Sequence, residues 1–488
     1  MKITYAAIQR LCWFMLVSLL PITSMPLVKK IIGSDTVASP AIVPLVFLVF
    51  IWFLPGIKMG IKLTKHTLIF FSFFCYTVII TLISFFYGLP AFKGIGQVET
   101  AVTALATLVI GLFFFITASA FPQNLADKKR TLQIINWSGL VIILWSALQA
   151  IAWYVFNHYP QWMFDLQGVV SSRVLYRQRV TGLALEPSWL AHQLNLLYLP
   201  VWMAASYFSH SSHKFKILFF TFENILLMGG ILTLGLTLSR VGFLAFFCMA
   251  VLMVGLLHKR LLERVQTWMN QKYKIGGQTK TRFNRRVISL GLLMVYIVVI
   301  LTGIMFYSRF DPRMKGLFYF NFSQDNFLLR YFNELKFGDR VIYWISGWNI
   351  FNQYPVLGVG LGNAGFLIPD KIAPYGWSLM EVRRLIHRES SLLNIKNLWF
   401  RLLAETGIFG FSLFIGWMVS LVAVFLKKPT SDIPLEQVLG LMGLLTLAAL
   451  VFEGFSIDSF AMPYWWISLG IASSVIHTRE EKFNTKET

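Results

Sequence analysis

The stretch RQRVTGLALEPSWLAHQLNLLYLPVWMAASYFS, residues 177–209, sets how the rest of the chain is read. Two arginines and a glutamate stand directly against a long apolar run. Pro187 suits the first turn of a helix, and the residue before a proline avoids the α region. The helix therefore starts at Pro187, with Glu186 at its N-cap position. From Pro187 to Ser209 it would run about 34 Å, enough to cross the hydrocarbon of a bilayer. Glu186 then stands at the mouth of a membrane span, near the positive end of the helix dipole. Ser188, His192 and Asn195 follow at i, i+4 and i+7, a polar stripe entering the span.

The composition agrees. Of 488 residues, 56% are hydrophobic and only 13% charged, with mean hydropathy +0.64; soluble domains carry about 25% charged residues. The net charge of +21 would suggest nucleic acid in a soluble chain. Here the basic residues cluster between apolar runs, so membrane topology accounts for them and no nucleic-acid partner is inferred. Cys12, Cys75 and Cys248 lie inside apolar runs with no CxxC pattern, and read as small buried hydrophobes.

Apolar runs near 20 residues recur about twelve times. They are 11–28, 41–57, 67–87, 99–121, 133–156, 187–209, 215–236, 240–258, 287–307, 398–426, 437–454 and 460–476. The first follows MKITYAAIQR and reads as an uncleaved span. The fold class is an all-α polytopic membrane protein with about 12 transmembrane helices and one large extracytoplasmic, periplasmic loop. Lys and Arg set the orientation. The connection 259–286 holds Lys259, Arg260, Arg264, Lys272, Lys274, Lys280, Arg282, Arg285 and Arg286. Lys58, Lys62, Lys65, Lys128, Lys129, Arg130, Lys427, Lys428 and the tail with Arg479 and Lys482 fall on the same side. Both termini are expected in the cytoplasm. The chain divides into 1–307 (nine spans, including the basic loop 259–286), the large loop 308–397, and 398–488 (three spans and a tail).

Long outward connections are usually functional. In the large one, GDRVIYWISGWNIFNQYPVLGVGLGNAGF (338–366) reads as helix, turn and glycine-rich loop, with Asp339 as N-cap and Tyr354-Pro355 as the stop. The glycines allow a tight turn or close backbone approach; no βαβ unit surrounds them to make a dinucleotide site. Arg340 is either an interfacial ion-pair partner or an anion contact. In LMEVRRLIHRESS (379–391), His387 sits in a charge run and is a second acid–base candidate. KNLWFRLLAETGIFG (396–410) places Arg401 and Glu405 at i and i+4, an internal ion pair on the bland account. Glu453 and Asp458 border the last outward turn, where an interfacial structural role is expected.

Three of these segments together resemble the O-antigen ligase and Wzy-type O-antigen polymerase superfamily. LTLSRVGFLAF (236–246) looks like the serine-arginine start of its shared domain. The DR…W…YPVLGVGLGNAGF stretch follows. KNLWFRLLAETGIFG is similar to a histidine-asparagine pair, nine residues, then GxxG, with Asn397, Gly407 and Gly410 in step. The resemblance covers roughly 170–415. One position departs: where the ligases carry histidine, this chain has Lys396, and a lysine is a poor base near neutral pH. The arrangement of Arg179, Gly182, Glu186, Pro187 and Ser188 looks more like the polymerases of surface or exopolysaccharide repeat units.

The resemblance implies glycosyl transfer without metal or cofactor, on the outer face of the bacterial cytoplasmic (inner) membrane. The donor would be an undecaprenyl-pyrophosphate-linked oligosaccharide. Membrane lipids, a flippase and a chain-length regulator are the implied partners. The acceptor would be another lipid-linked repeat (polymerase) or lipid A core (ligase); a transporter or flippase of lipid-linked glycan is the rival from another class. A departing pyrophosphate needs cations; Arg177, Arg179, Arg240, Arg340 and Lys396 are the candidates. A hydroxyl proton needs a base; Glu186 is the first candidate and His387 the second. Glu186 keeps a competing role as helix cap.

Overall fold

The computed structural model describes residues 4–33, 38–61, 63–122, 124–272, 285–310, 337–389 and 391–474. Lys62, residues 273–284 of the basic connection, 311–336 of the large loop, and the tail with Arg479 and Lys482 lie outside them. The chain is a multi-pass membrane protein built almost wholly of helices; the described sheet is one antiparallel hairpin, Lys216–Ile217 with Phe220–Thr221. Seven described helices are long and apolar enough to cross a membrane: Lys65–Tyr87, Gln97–Ala120, Leu125–Tyr154, Arg240–Met269, Arg285–Gly303, Leu398–Thr430 and Pro434–Glu453.

The other five apolar runs also overlap helices, but shorter or broken ones, for local reasons. The 11–28 run splits into Tyr5–Ser18 and Pro26–Ile32, the second opening on its proline. Residues 187–207 form one continuous helix whose middle turn, Leu194–Tyr198, is a π-helix. Pro200 lies just beyond; a proline ring crowds the carbonyl four residues back and offers it no N–H, and a widened turn relieves the crowding. The same device recurs at Val49–Phe53 ahead of Pro55. There the released Ile51 carbonyl accepts from the Tyr5 hydroxyl and from Gln9 Nε2 at 2.8 Å. The 215–236 run is a correction: the helix begins only at Phe222, 16 residues long, and 216–221 form the hairpin. The 460–476 run yields the 11-residue helix Pro463–Ser473.

Two compact units make up the chain. The larger comprises residues 1–245 and 342–488. Its interior is aromatic: Phe70, Phe115, Trp417 and Trp466 are fully buried, with Phe70 4.8 Å from Trp417 and 5.0 Å from Trp466 between ring centroids. Glycines let helices approach: a Cβ on Gly111 would lie 2.6 Å from the Trp466 indole, and one on Gly470 would lie 2.5 Å from Ala118 Cβ. Small residues at helix contacts do this where lipid leaves little hydrophobic drive for association. The second unit, 246–341, contains most of the helix Arg240–Lys272 and the helix Arg285–Phe310. Its helices meet at His258 Nε2 and Ser289 Oγ, 2.9 Å apart. Both helices overrun the expected basic loop, so Lys259, Arg260, Arg264, Lys272, Arg285 and Arg286 stand on helix rather than in loop. Cys12, Cys75 and Cys248 are free, and are partly rather than fully buried, a second correction.

In the large loop, the helix expected after residue 337 spans Gly338–Gln353 and stops at Tyr354 as the Tyr-Pro pair requires. It opens one residue earlier than expected, so Asp339 falls in the first turn and not at the cap. The glycines then interlock with the helix Leu398–Lys427. That helix breaks at Gly407 (φ 63°, ψ −170°), which strands carbonyls in the turn before it. Val359 N donates to the Ala404 carbonyl at 3.0 Å and Gly360 N to the Glu405 carbonyl at 2.9 Å, while Ile408 N donates to Pro355 at 2.8 Å. Gly358 and Gly407 have no room for a Cβ against each other's backbone. The expected close backbone approach is therefore what the glycine run provides.

Candidate functional site

Pro187 opens its helix with Glu186 extended at the N-cap position (φ −143°, ψ 158°), as the sequence dictates. The Glu186 side chain does not cap. One carboxylate oxygen accepts from Arg173 Nη1 and the other from Ser188 Oγ at 3.3 Å. Glu186 holds the N-cap position without the capping hydrogen bond. Arg173 was not legible as a partner: it lies thirteen residues upstream across an irregular segment.

Arg179 is half-buried. Its Nε donates to the Thr237 carbonyl at 2.9 Å, and Val180 N donates to Leu236 at 3.1 Å. These bonds fasten the 177–182 segment to the end of the helix Phe222–Thr237, three residues before Arg240. Leu238 turns the chain through a left-handed conformation (φ 49°), and Ser239 then caps the next helix by accepting from Gly242 N at 3.3 Å. Arg240 opens that helix. Two residues on, Gly242 packs against Ala191, its missing Cβ only 2.7 Å from the alanine's. Ala191 lies between Ser188 and His192. These contacts tie together three segments: the one that carries Arg179, the one that opens with Arg240, and the helix that Glu186 precedes. Arg177 is exposed beside them in sequence.

The polar stripe continues inward from this junction. His192 Nδ1 lies 2.6 Å from Glu453 Oε2, and Asn195 Nδ2 donates to Glu453 Oε1 at 2.6 Å and to the Gly242 carbonyl at 2.7 Å. His192 is 2% exposed, and Asn195 and Glu453 are 0%. Glu453 ends the helix Pro434–Glu453, as expected at the last turn, but is buried in the protein with both oxygens engaged. Sequence reasoning saw the stripe but not its terminus, which comes from 261 residues away. Beside it, Arg401 Nε donates to Glu405 Oε2 at 2.9 Å, the expected i, i+4 pair, and Arg401 Nη1 donates to the Asp458 carbonyl.

Lys396, in a left-handed conformation (φ 53°), donates to Glu381 Oε1 and lies 4.8 Å from the Tyr343 ring. Its neighbour Asn397 caps the following helix, accepting from Trp399 N at 2.9 Å and Phe400 N at 3.1 Å. His387 is exposed at the end of the helix Met380–His387. Near it, Arg384 pairs with Glu389 at 3.0 Å and Lys93 Nζ donates to the Leu385 carbonyl at 3.0 Å. That cluster shares no hydrogen bond with the Glu186 junction among the described residues. Arg340 belongs to the second unit, and its N donates to the Phe337 carbonyl at 3.0 Å in the first turn of its helix. Among the described residues, no group of three or more His, Cys, Asp or Glu is placed to hold a metal ion.

Chemically, these segments supply one carboxylate, Glu186, held by Arg173 and Ser188, and two further guanidinium groups, Arg179 and Arg240. Residues 225–415 match a family model described as O-antigen ligase, and the three motifs that carry the resemblance lie wholly within that stretch. The match takes in Arg240, Arg340, His387 and Lys396, and leaves Arg177, Arg179 and Glu186 upstream of it. No curated protein matches the chain.

Proposed function

We propose that this protein is a membrane glycosyltransferase that polymerises undecaprenyl-pyrophosphate-linked oligosaccharide repeats into O-antigen, capsule or exopolysaccharide. The reaction would take place on the outer face of the cytoplasmic membrane, with both termini inside. The observation that carries the reading is the packing together of the segments that bear Glu186, Arg179 and Arg240, the last within the stretch that matches the O-antigen ligase model. In the proposed reaction the acceptor hydroxyl gives its proton to Glu186 and its oxygen attacks the anomeric carbon of the donor. The bond to pyrophosphate breaks, and the guanidinium groups of Arg177, Arg179 and Arg240 meet the charge that develops there. Lys396, within the matched stretch, is a further cationic candidate whose charge Glu381 shares, and Arg340, in the second unit, is not assigned to this site. Glu186 is favoured over His387 as base because Arg173 and Ser188 already orient its carboxylate.

Lys396 supports polymerase over ligase. It stands where the resembling ligases carry histidine, and its charge is engaged by Glu381. A transporter would use broken helices whose free ends face the ligand. This chain has a broken helix at Gly407, but the carbonyls released there are taken by Val359 and Gly360. The site assignment is tested with Glu186→Gln and Arg179→Ala in a chain-elongation assay, with membrane insertion checked in parallel. We expect Glu186→Gln to lose about 100-fold or more in rate, the scale of a general base. Normally inserted variants with full activity would remove the site.

A further inference from the structure

We propose that Glu453 is the positioning residue of this site: a buried carboxylate that holds the helix bearing Glu186 in register with the helix opened by Arg240. The inference rests on the glycosyl-transfer reading for its kinetic consequence, but not for its structural one. Both carboxylate oxygens are committed. Oε2 faces His192 Nδ1 and Oε1 accepts from Asn195, each at 2.6 Å. His192 is one helical turn beyond Ser188, which itself bonds to Glu186. The same Asn195 amide nitrogen that reaches Glu453 also reaches the Gly242 carbonyl at 2.7 Å, in the first turn after Arg240. The next residue completes the set: the Gly454 carbonyl accepts from Leu398 N at 2.7 Å, fixing the start of the helix that follows Lys396 and Asn397. Gly454 has no side chain because the Trp399 indole occupies that space, 2.5 Å from an ideal Cβ. Three segments carrying candidate residues therefore meet on residues 453–454.

Packing alone does not call for a charge here. Burying a carboxylate is costly, and well-packed apolar residues hold helices together as well or better. What the carboxylate adds is direction: two fixed acceptors that admit one placement of His192 and one of Asn195. Reacting groups misplaced by about 1 Å can lose about 100-fold in rate. Glu453 touches neither reacting atom in this account and acts through the helices it orders.

The test compares Glu453→Ala, Glu453→Gln and Asn195→Ala in the full-length purified protein, by hydrogen–deuterium exchange and by elongation kinetics. For Glu453→Ala we expect faster exchange in 187–198 and 239–245, with the Gln97–Ala120 helix unchanged. Its kcat should fall about 100-fold with KM within about threefold, the pattern of lost alignment rather than lost binding. Glu453→Gln should restore most of both, since its amide oxygen can accept from Asn195 and its amide nitrogen can donate to His192 Nδ1 once the imidazole carries its proton on Nε2. Asn195→Ala should loosen 239–245 and leave 187–193 protected. Exchange at wild-type levels in both segments of Glu453→Ala would overturn the proposal, as would loosening across the whole chain. A Glu453→Gln variant as impaired as Glu453→Ala would overturn it too, by making charge rather than geometry the requirement. If the wild-type protein elongates nothing, the glycosyl-transfer reading falls, and the exchange results alone decide the positioning claim.

Discussion

Replacing Gly407 with alanine should cost this protein much of its stability. Gly407 sits at φ 63°, ψ −170°, a region that essentially only glycine enters. Holding alanine there costs about 1–3 kcal/mol. The new Cβ would lie 2.2 Å from the Val356 carbonyl oxygen and 2.8 Å from Gly358 N, backbone atoms that cannot swing aside. Overpacking of that kind adds about 1–3 kcal/mol. Parting the two segments also threatens the bonds from Val359 N and Gly360 N to the Ala404 and Glu405 carbonyls, each worth about 1 kcal/mol. A loss of about 4 kcal/mol or more follows, against a typical total of about 5–15 kcal/mol. Gly416 on the same helix is the control, because a Cβ there meets nothing within 4 Å. Alanine at Gly416 should stabilise by about 0.5–1 kcal/mol through helix propensity. The assay is thermal unfolding of both variants in one detergent. A Gly407→Ala midpoint equal to wild type, or an equal loss in Gly416→Ala, would refute the reasoning.

Further outcomes follow from the same geometry. Arg179→Lys should keep its charge but lose the planar fork, raising KM for the lipid-linked donor less than Arg179→Ala does; equal KM values in both variants and wild type would exclude Arg179 from donor binding. The Lys396–Glu381 pair is about 30% exposed on each side (27% and 33%), so Glu381→Ala should change stability by no more than about 1 kcal/mol; a larger loss in thermal unfolding contradicts that. His210 and His213 are held below the usual imidazole pKa by burial first, with Glu223 partly offsetting and Lys129 reinforcing. The folded state then binds fewer protons than the unfolded one. Its advantage is full above about pH 6.5 and declines as pH falls below it. The unfolding midpoint should drop on acidification from about pH 7 to about pH 5, and a His210→Phe, His213→Phe double variant should flatten that drop.

Much of the fold was legible because the bilayer imposes a coarse rule: long apolar runs must be helices. The start at Pro187 and the stop at Tyr354-Pro355 followed from proline chemistry, and the glycine run from its need for close approach. Local rules were not enough where the chain chose between alternatives. The KILFFT stretch is as apolar as the helix it precedes, yet Lys216–Thr221 pairs as a hairpin. The sequence left Glu186 as base or cap, and could not show that Arg173, thirteen residues upstream, holds its carboxylate. The burial of Glu453 was not legible because its partners His192 and Asn195 are over 250 positions away, a separation no local pattern encodes. Whether such a charge is exposed or buried is a tertiary property, and the sequence shows only an isolated acid at the end of an apolar helix.

Incubating the purified protein with undecaprenyl-pyrophosphate-linked repeat units, and nothing else, tests the central claim most directly. A polymerase uses one repeat as donor and another as acceptor, so products longer than one repeat should accumulate on the lipid, with release of undecaprenyl pyrophosphate. Repeat units that stay single, and are transferred only when lipid A core is added, would contradict the account and make the protein a ligase.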